Sequence, residues 1–234
     1  MKAVILAGGL GTRLRPFTEV IPKPLLPIGE KAVLEIQIEH LQKHGFTEIF
    51  LATGYRSNYI KKFFGDGSQY GVALKISKEE KPLGTVGPLT LLKNELNEPF
   101  LVMNGDILTK LNFLNMYEFS VRNKASLTIG AKKILTPFRF GNIESSGDYV
   151  TKIEEKPDFE TNVLAGVYIM TPDIFGYIPE DGPYGVDQLI KQMLSKHDPI
   201  AIYQIQEYWL DIGVIDDFKD AQDIYTKFWS EDND

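Results

Sequence analysis

A strand-length apolar run that empties directly into glycines, Leu6-Ala7-Gly8-Gly9-Leu10-Gly11-Thr12-Arg13-Leu14, constrains this chain more than any other feature. Lys2–Leu6 reads as a short buried strand. Glycines placed immediately after it let the backbone approach a ligand closely, with N–H groups free to point at phosphate oxygens. Gly9-Leu10-Gly11 fits the first two glycines of a dinucleotide-binding fingerprint, but Leu14 stands at the third. No acidic residue ends a second strand about 20 residues on, as that fingerprint also requires. A P-loop needs a Gly-Lys-Ser/Thr ending, which the chain lacks. The plain alternative is a Gly-rich turn. Two cations weigh against it: Arg13 closes the loop, and Lys23 follows between Pro22 and Pro24. Held on restrained backbone beside a phosphate-accepting loop, they suit a triphosphate and a developing pyrophosphate. Singly, each could be a solvated surface cation.

Beyond the loop, apolar periodicity predicts alternating helices and strands. A helix over Ala32–His44 places Leu34, Ile38 and Leu41 on one face and stops at Gly45. Strands are expected at Glu48–Thr53, Val72–Ser77 and Pro99–Met103, with helices at Tyr59–Phe64 and Thr85–Glu95. This alternation argues for βαβ units on a mainly parallel sheet. The second half is richer in strands: Leu127–Lys132, Phe140–Glu144, Val150–Glu154 and Leu164–Met170. A helix over Asp187–Ser195, a strand near Ile200–Ile205 and the run Tyr208–Ile212 follow. The last helix covers about Val214–Phe228, with Phe218, Ala221, Tyr225 and Phe228 as a core-facing stripe. The expected architecture is one α/β domain over residues 1–234, a Rossmann-like mixed, mainly parallel sheet between helices. The first half ends near residue 110, and about 111–229 forms a more β-rich second half. Ser230–Asp234 reads as a flexible tail.

Composition excludes several function classes. The net charge is −7 and no dense Lys/Arg run appears, so no nucleic-acid partner is expected. With no cysteine there is neither a disulfide framework nor thiolate chemistry. No stretch approaches the roughly 18 apolar residues of a membrane span, so no membrane partner is expected and the chain reads as cytoplasmic. His40 and His44 share a helix at a metal-compatible i, i+4 spacing, but His44 adjoins Gly45 at its C-terminus, where a cation is favoured, and both read as structural.

The run LAGGLGTRLRP followed by PKPLLPI resembles the signature of the sugar-1-phosphate nucleotidyltransferase family. Further matches recur along residues 1–220: FGDGSQYGV, EEKPLGTVGPL, LVMNGDIL, Glu155-Lys156-Pro157, Asn162 with Ala165-Gly166, and Tyr208-Trp209-Leu210-Asp211-Ile212-Gly213. The resemblance is greatest to short bacterial members, mannose- and heptose-1-phosphate guanylyltransferases among them. It implies the nucleotide-diphospho-sugar transferase fold, with a nucleotide-binding half over about 1–110 and a β-rich sugar-phosphate-binding half over about 111–229, and an enzyme that joins an NTP to a sugar 1-phosphate, releasing pyrophosphate. By the same resemblance, Leu6 and Ala7 line the nucleotide, Gly8, Gly9, Gly11 and Thr12 cradle the triphosphate, and Arg13 and Lys23 are catalytic. Asp106, at the C-terminal end of a predicted strand, and Asp211 would hold Mg²⁺. Glu155 and Lys156 would meet the sugar hydroxyls and acceptor phosphate. Gly141 would approach the sugar through its backbone, Asn162 would join the sugar-phosphate contacts, and Ala165 and Gly166 would form a small-residue floor beneath the sugar. The segment before Gly141 is usually rich in tyrosine or arginine, and Phe138 and Phe140 depart from that pattern.

Glu79 and Gly84 fall in the family's base-binding loop. A carboxylate accepts hydrogen bonds and guanine offers two adjacent donors, so GTP is the favoured donor, with UTP and dTTP next. Homo-oligomers are common in the family, so the resemblance also allows one here. Two rival readings carry different expectations. A non-catalytic regulator would have lost one of Arg13, Lys23, Asp106 or Asp211, and a transferase for another acceptor would lack the segments around Glu155-Lys156 and Ala165-Gly166.

Overall fold

The computed structural model describes residues 1–54 and 56–228, without the side chains of Thr226 and Phe228. The expected tail at 230–234 lies outside the described residues, as does the Phe228 side chain at the end of the stripe. In chain order the first strands are β1 Lys2–Leu6, β2 Pro27–Ile28, β3 Lys31–Ala32, β4 Glu48–Thr53, β5 Ala73–Lys78, β6 Phe100–Asn104 and β7 Ile107–Thr109. They are followed by β8 Leu127–Pro137, β9 Asn142–Ser146, β10 Tyr149–Glu154, β11 Asp158–Met170, β12 Ile200–Gln204 and β13 Trp209–Asp211. The helices are α1 Phe17–Val20, α2 Val33–Lys43, α3 Ser57–Phe64, α4 Phe113–Asn123, α5 Val186–Ser195 and α6 Ile215–Phe228.

Seven strands form one sheet in the order β12-β8-β11-β6-β1-β4-β5. All run parallel except β11, which is antiparallel to β6 and β8. This is the mixed, mainly parallel sheet that the alternation predicts. The central strands are apolar on both faces because helices cover both. Ala3 and Ile5 of β1 pack on one side with Leu34, Ile38 and Leu41 of α2 and Phe113 and Met116 of α4. Val4 faces the other side, with Leu189 and Met193 of α5. A third apolar cluster ties α6, through Ala221 and Tyr225, to Leu14, Leu26, Ile28 and Leu108. It locks the C-terminal helix onto the segments that flank the Gly-rich loop. Tyr225 lies so close to Gly29 that a Cβ there would fall 2.1 Å from its ring.

Three expectations are corrected. Thr85–Glu95 is not an α-helix but holds a 3₁₀ run at Gly87–Leu92. Pro88 supplies no backbone donor, and the Thr90 hydroxyl takes the Gly87 carbonyl at 2.7 Å. The helix α4 has no counterpart in the sequence reading, although Asn112 caps it by accepting from the Asn115 N–H at 2.9 Å. Strands β8 and β11 also run well past the expected Leu127–Lys132 and Leu164–Met170, because their outer halves pair with each other beyond the sheet.

Candidate active-site cleft

The site lies at the C-terminal ends of β1 and β6, where open α/β sheets bind ligands. Register places Leu6 beside Asn104, and the Gly105 N–H donates to the Leu6 carbonyl at 2.9 Å. A Cβ on Gly105 would stand 2.8 Å from that carbonyl oxygen. Glycine is therefore what lets Asn104-Gly105-Asp106 pass close under the loop, and it sets Asp106 at the loop's mouth. Gly11 has φ +62°, and a Cβ there would fall 2.8 Å from Thr18 Cγ2 and 3.2 Å from Lys23 Cβ. That close packing, with the Thr18 hydroxyl donating to the Gly11 carbonyl at 2.8 Å, gathers the Lys23 segment against the loop. Leu14 is fully buried and anchors the 3₁₀ turn that carries Arg13.

The second carboxylate arrives from the far end of the chain. β13 pairs with β7, Asp211 opposite Ile107, and the Ile212 N–H donates to the Asp106 carbonyl at 2.9 Å. The Lys23 ammonium donates to Asp106 Oδ2 at 2.5 Å, both side chains largely shielded from solvent. Burial raises the Asp211 pKa above its ordinary value. The Asp106 carboxylate adds to that rise, and Lys23 and Arg13 oppose it. Asp106 Oδ1 and Asp211 Oδ1 are both buried without a hydrogen-bond partner. Two desolvated, mutually repelling carboxylates with one unpartnered oxygen each fit a hard divalent cation such as Mg²⁺. Among the described residues no third carboxylate, histidine or cysteine joins them, so substrate oxygens and water would complete the shell.

Leu6, Ala7, Gly9, Gly11, Thr12, Arg13, Lys23 and Asp106 line a recess of about 250 Å³, closed by Gly213. A Cβ on Gly213 would lie 3.6 Å from both terminal guanidinium nitrogens of Arg13. The recess opens through Leu6, Gly9 and Asp106 into a cleft of about 930 Å³ that also takes in Gly8, Glu79 and Gly84. Glu79 is fixed there. Its N–H donates to the Thr53 carbonyl, and its Oε2 accepts from the Leu83 N–H, each at 2.9 Å. Its Oε1 rests in a notch between two glycines, since a Cβ on Gly8 or on Gly54 would stand 2.9 Å from it. Gly84 (φ +80°) lines the cleft and packs against the Tyr184 backbone, whose N–H donates to the Leu83 carbonyl at 2.8 Å.

The sugar-side candidates divide. Ala165 and Gly166 sit in the irregular stretch of β11 beneath Asn104. The Ala165 carbonyl accepts from the Trp209 indole at 2.7 Å, and a Cβ on Gly166 (φ +68°) would meet Asn104 Nδ2 at 2.7 Å. Gly141, Glu155, Lys156 and Asn162 instead lie exposed on a β-ribbon that does not line the cleft. Within the ribbon Gly141 abuts Glu155, and the Lys156 ammonium stands 4.0 Å from the Glu155 carboxylate.

Three residues here escaped the sequence reading. Asn104 lines the cleft with a buried Oδ1 that has no hydrogen-bond partner, and its place before Gly105-Asp106 was a usable signal. Arg56 lines the cleft and donates to the Glu19 carbonyl at 2.5 Å, and nothing in the sequence marked it. Asp217 accepts from the Gly213 and Val214 N–H groups at 2.9 and 2.8 Å. Val214 has no side-chain acceptor for the start of α6, so an aspartate three residues on was the available cue. His40 and His44 pack edge-on with Phe113, remote from the cleft lining.

Residues 2–227 match the family model described as nucleotidyl transferase. A mannose-1-phosphate guanyltransferase of Yarrowia lipolytica is 34% identical over 244 residues, which cover 100% of this chain and 66% of that protein. The chain spans 61–66% of the length of such curated relatives. Among solved structures, HddC from Yersinia pseudotuberculosis complexed with GMP-PN aligns with TM-score 0.74 and 26% identity, covering 96% of this chain and 99% of that one. A Bacillus anthracis protein named as a glucose-1-phosphate thymidylyltransferase, in complex with sucrose, aligns with TM-score 0.79 and 25% identity over 96% of this chain and 94% of that one.

Proposed function

The chain belongs to the nucleotidyl transferase family, and from that premise we propose that it transfers a nucleotidyl group, from GTP by preference, to a sugar 1-phosphate, forming an NDP-sugar and pyrophosphate. The observation that carries the reading is the meeting of Arg13, Lys23, Asp106 and Asp211 at the mouth of the Gly-rich loop. A regulator that only binds nucleotide has no need of all four.

The acceptor phosphate is already a nucleophile, so the protein need only align it with the α-phosphate and stabilise the charge that develops. Backbone N–H groups from Gly8 to Thr12 receive the triphosphate. The planar fork of Arg13 grips the departing pyrophosphate through two oxygens. Lys23, held by Asp106, sets a fixed positive charge between that carboxylate and the recess. Asp106 and Asp211 would hold Mg²⁺, which when bound neutralises phosphate charge and polarises the reacting phosphoryl group. Ala165 and Gly166, beneath Asn104, are the proposed floor of the sugar site, and Lys156 and Glu155, with Gly141 and Asn162, are the proposed contacts to the acceptor phosphate and sugar hydroxyls from the ribbon.

Glu79 supports the choice of base. One oxygen is occupied by Leu83, and the other faces the glycine notch, where guanine's N1–H and N2 amino donors would find an acceptor. The second reading is uridylyl or thymidylyl transfer, favoured by the likeness to the Bacillus anthracis protein, since uracil and thymine each offer one donor at N3. No helix among the described residues is long and apolar enough to cross a membrane. A cysteine-free chain fits a cytoplasmic setting.

Two-substrate kinetics with GTP and mannose 1-phosphate test the scheme. Single displacement gives intersecting double-reciprocal lines and an NDP-sugar product. Parallel lines, the mark of a covalent nucleotidyl-enzyme, would overturn it.

A further inference from the structure

Helix α2 lays an apolar stripe on the sheet, yet Gln37 stands within that stripe, three residues after Leu34 and four before Leu41. It is 3% exposed, and the other buried residues of α2 are Val33, Leu34, Ile36, Ile38 and Leu41. A buried amide is costly unless its groups are bonded. Here the donors are satisfied and the acceptor is not. Nε2 donates to the Asn104 carbonyl at 3.0 Å and to the Ile107 carbonyl at 2.8 Å. Two carbonyls can be met only by the NH₂ end, so they fix which way the amide faces. Oε1 is then left buried without a hydrogen-bond partner. A methionine would fill the same place with no orphaned oxygen, so packing does not account for the glutamine. Its two donors do.

Those carbonyls stand on either side of Gly105-Asp106. β6 ends at Asn104, and β7, which begins at Ile107, lies outside the seven-stranded sheet and pairs with β13. Ladder bonds of the main sheet therefore do not set the path of the turn between them. The Leu6 carbonyl holds the Gly105 N–H, and the Ile212 N–H holds the Asp106 carbonyl. Gln37 supplies the remaining support from the helix side, tying both ends of the turn to one rigid group. We propose that Gln37 is a positioning residue: by bridging the carbonyls that flank Gly105-Asp106, it fixes where the Asp106 carboxylate sits relative to Asp211 and Lys23. That Asp106 binds a cation rests on the proposed function, whereas the bridge itself does not. A group that orients a metal-binding carboxylate governs affinity and rate without touching the ion.

Gln37→Met keeps the length and shape of the side chain and removes both donors. Titration of the purified chain with Mn²⁺ alone, followed by electron paramagnetic resonance of the free ion, reads the carboxylate pair without catalysis. Gln37→Met is expected to bind Mn²⁺ about tenfold more weakly than wild type, with an unchanged circular dichroism spectrum. Combined with Asp106→Asn it is expected to weaken binding no further, since it acts through that carboxylate. In steady state with GTP and mannose 1-phosphate, kcat should fall by about tenfold or more while both KM values change little. Gln37→Asn keeps the amide but shortens its reach, and gives the same readout should Gln37→Met fail to fold. His40→Gln, one turn further along α2 where the wild-type side chain meets the Leu111 carbonyl, is expected to keep wild-type Mn²⁺ affinity and kcat. Unchanged Mn²⁺ affinity in the Gln37 variants, losses that add to those of Asp106→Asn, or an equal loss in His40→Gln would overturn the proposal. A wild type that binds Mn²⁺ no tighter than Asp106→Asn would overturn it together with the cation reading of the aspartates. If the wild type catalyses no transfer, the proposed function fails while the Mn²⁺ titration still decides the role of Gln37.

Discussion

Asp106 and Asp211 each turn one buried, unpartnered oxygen into a site where burial and mutual repulsion push the Asp211 pKa up. If they share one cation, Asp106→Asn and Asp211→Asn should each lower kcat by on the order of 10²-fold or more with the fold intact. The double variant should be little worse than either single change, because the pair acts as a unit, and multiplied losses would argue against a shared ion. Arg13→Lys keeps the charge and loses the fork. It should depress kcat severely with a smaller change in GTP KM, and an effect confined to the sugar-phosphate KM would reassign Arg13. Glu79→Gln should weaken GTP use by roughly 1–3 kcal/mol and narrow the gap to dTTP. Unchanged base preference in steady-state competition would remove Glu79 from base recognition.

Elements explain what could be read in advance. β1 and β4 were legible to the residue because both their faces are buried, which leaves an unbroken apolar run bounded by polar or glycine residues. α2 was legible because its stripe ends in a glycine stop. α4 was not: its buried face is Phe113, Met116 and Ser120, and the serine, bonded to Thr128 at 2.9 Å, interrupts the apolar pattern. The outer halves of β8 and β11 face no core, so no periodicity marks them. In the site, Asp106 could be found because it ends a strand, whereas the nearness of Asp211 depends on β13 pairing with β7 across the length of the chain.

The packing of α2 against α4 carries its own prediction. Burial lowers the His40 pKa to about 4, with His44, Lys110 and Lys43 adding to the shift and the Leu111 carbonyl opposing it. The folded value lies below the usual one near 6.5, so the fold favours neutral His40. Its stabilisation is intact above about pH 6.5, declines on acidification and is fully lost below about pH 4, a change of roughly 3 kcal/mol. His40→Gln, able to keep a donor toward Leu111, should flatten urea stability between pH 7 and pH 4.5 relative to wild type. An unchanged slope would mean that His40 is not buried neutral.

At the scale of the whole molecule, the central sheet and the separate β13–β7 pairing bring the Gly-rich loop and the distant Asp211 together, and α6 packs against the flanking segments through Ala221 and Tyr225. The central claim is that this recess joins an NTP to a sugar 1-phosphate. Pyrophosphate release settles it most directly, measured with purified protein and Mg²⁺ over four NTPs crossed with a panel of sugar 1-phosphates. The account predicts release that requires both substrates and is fastest with GTP. No release from any pair, or release independent of the sugar 1-phosphate, would contradict it.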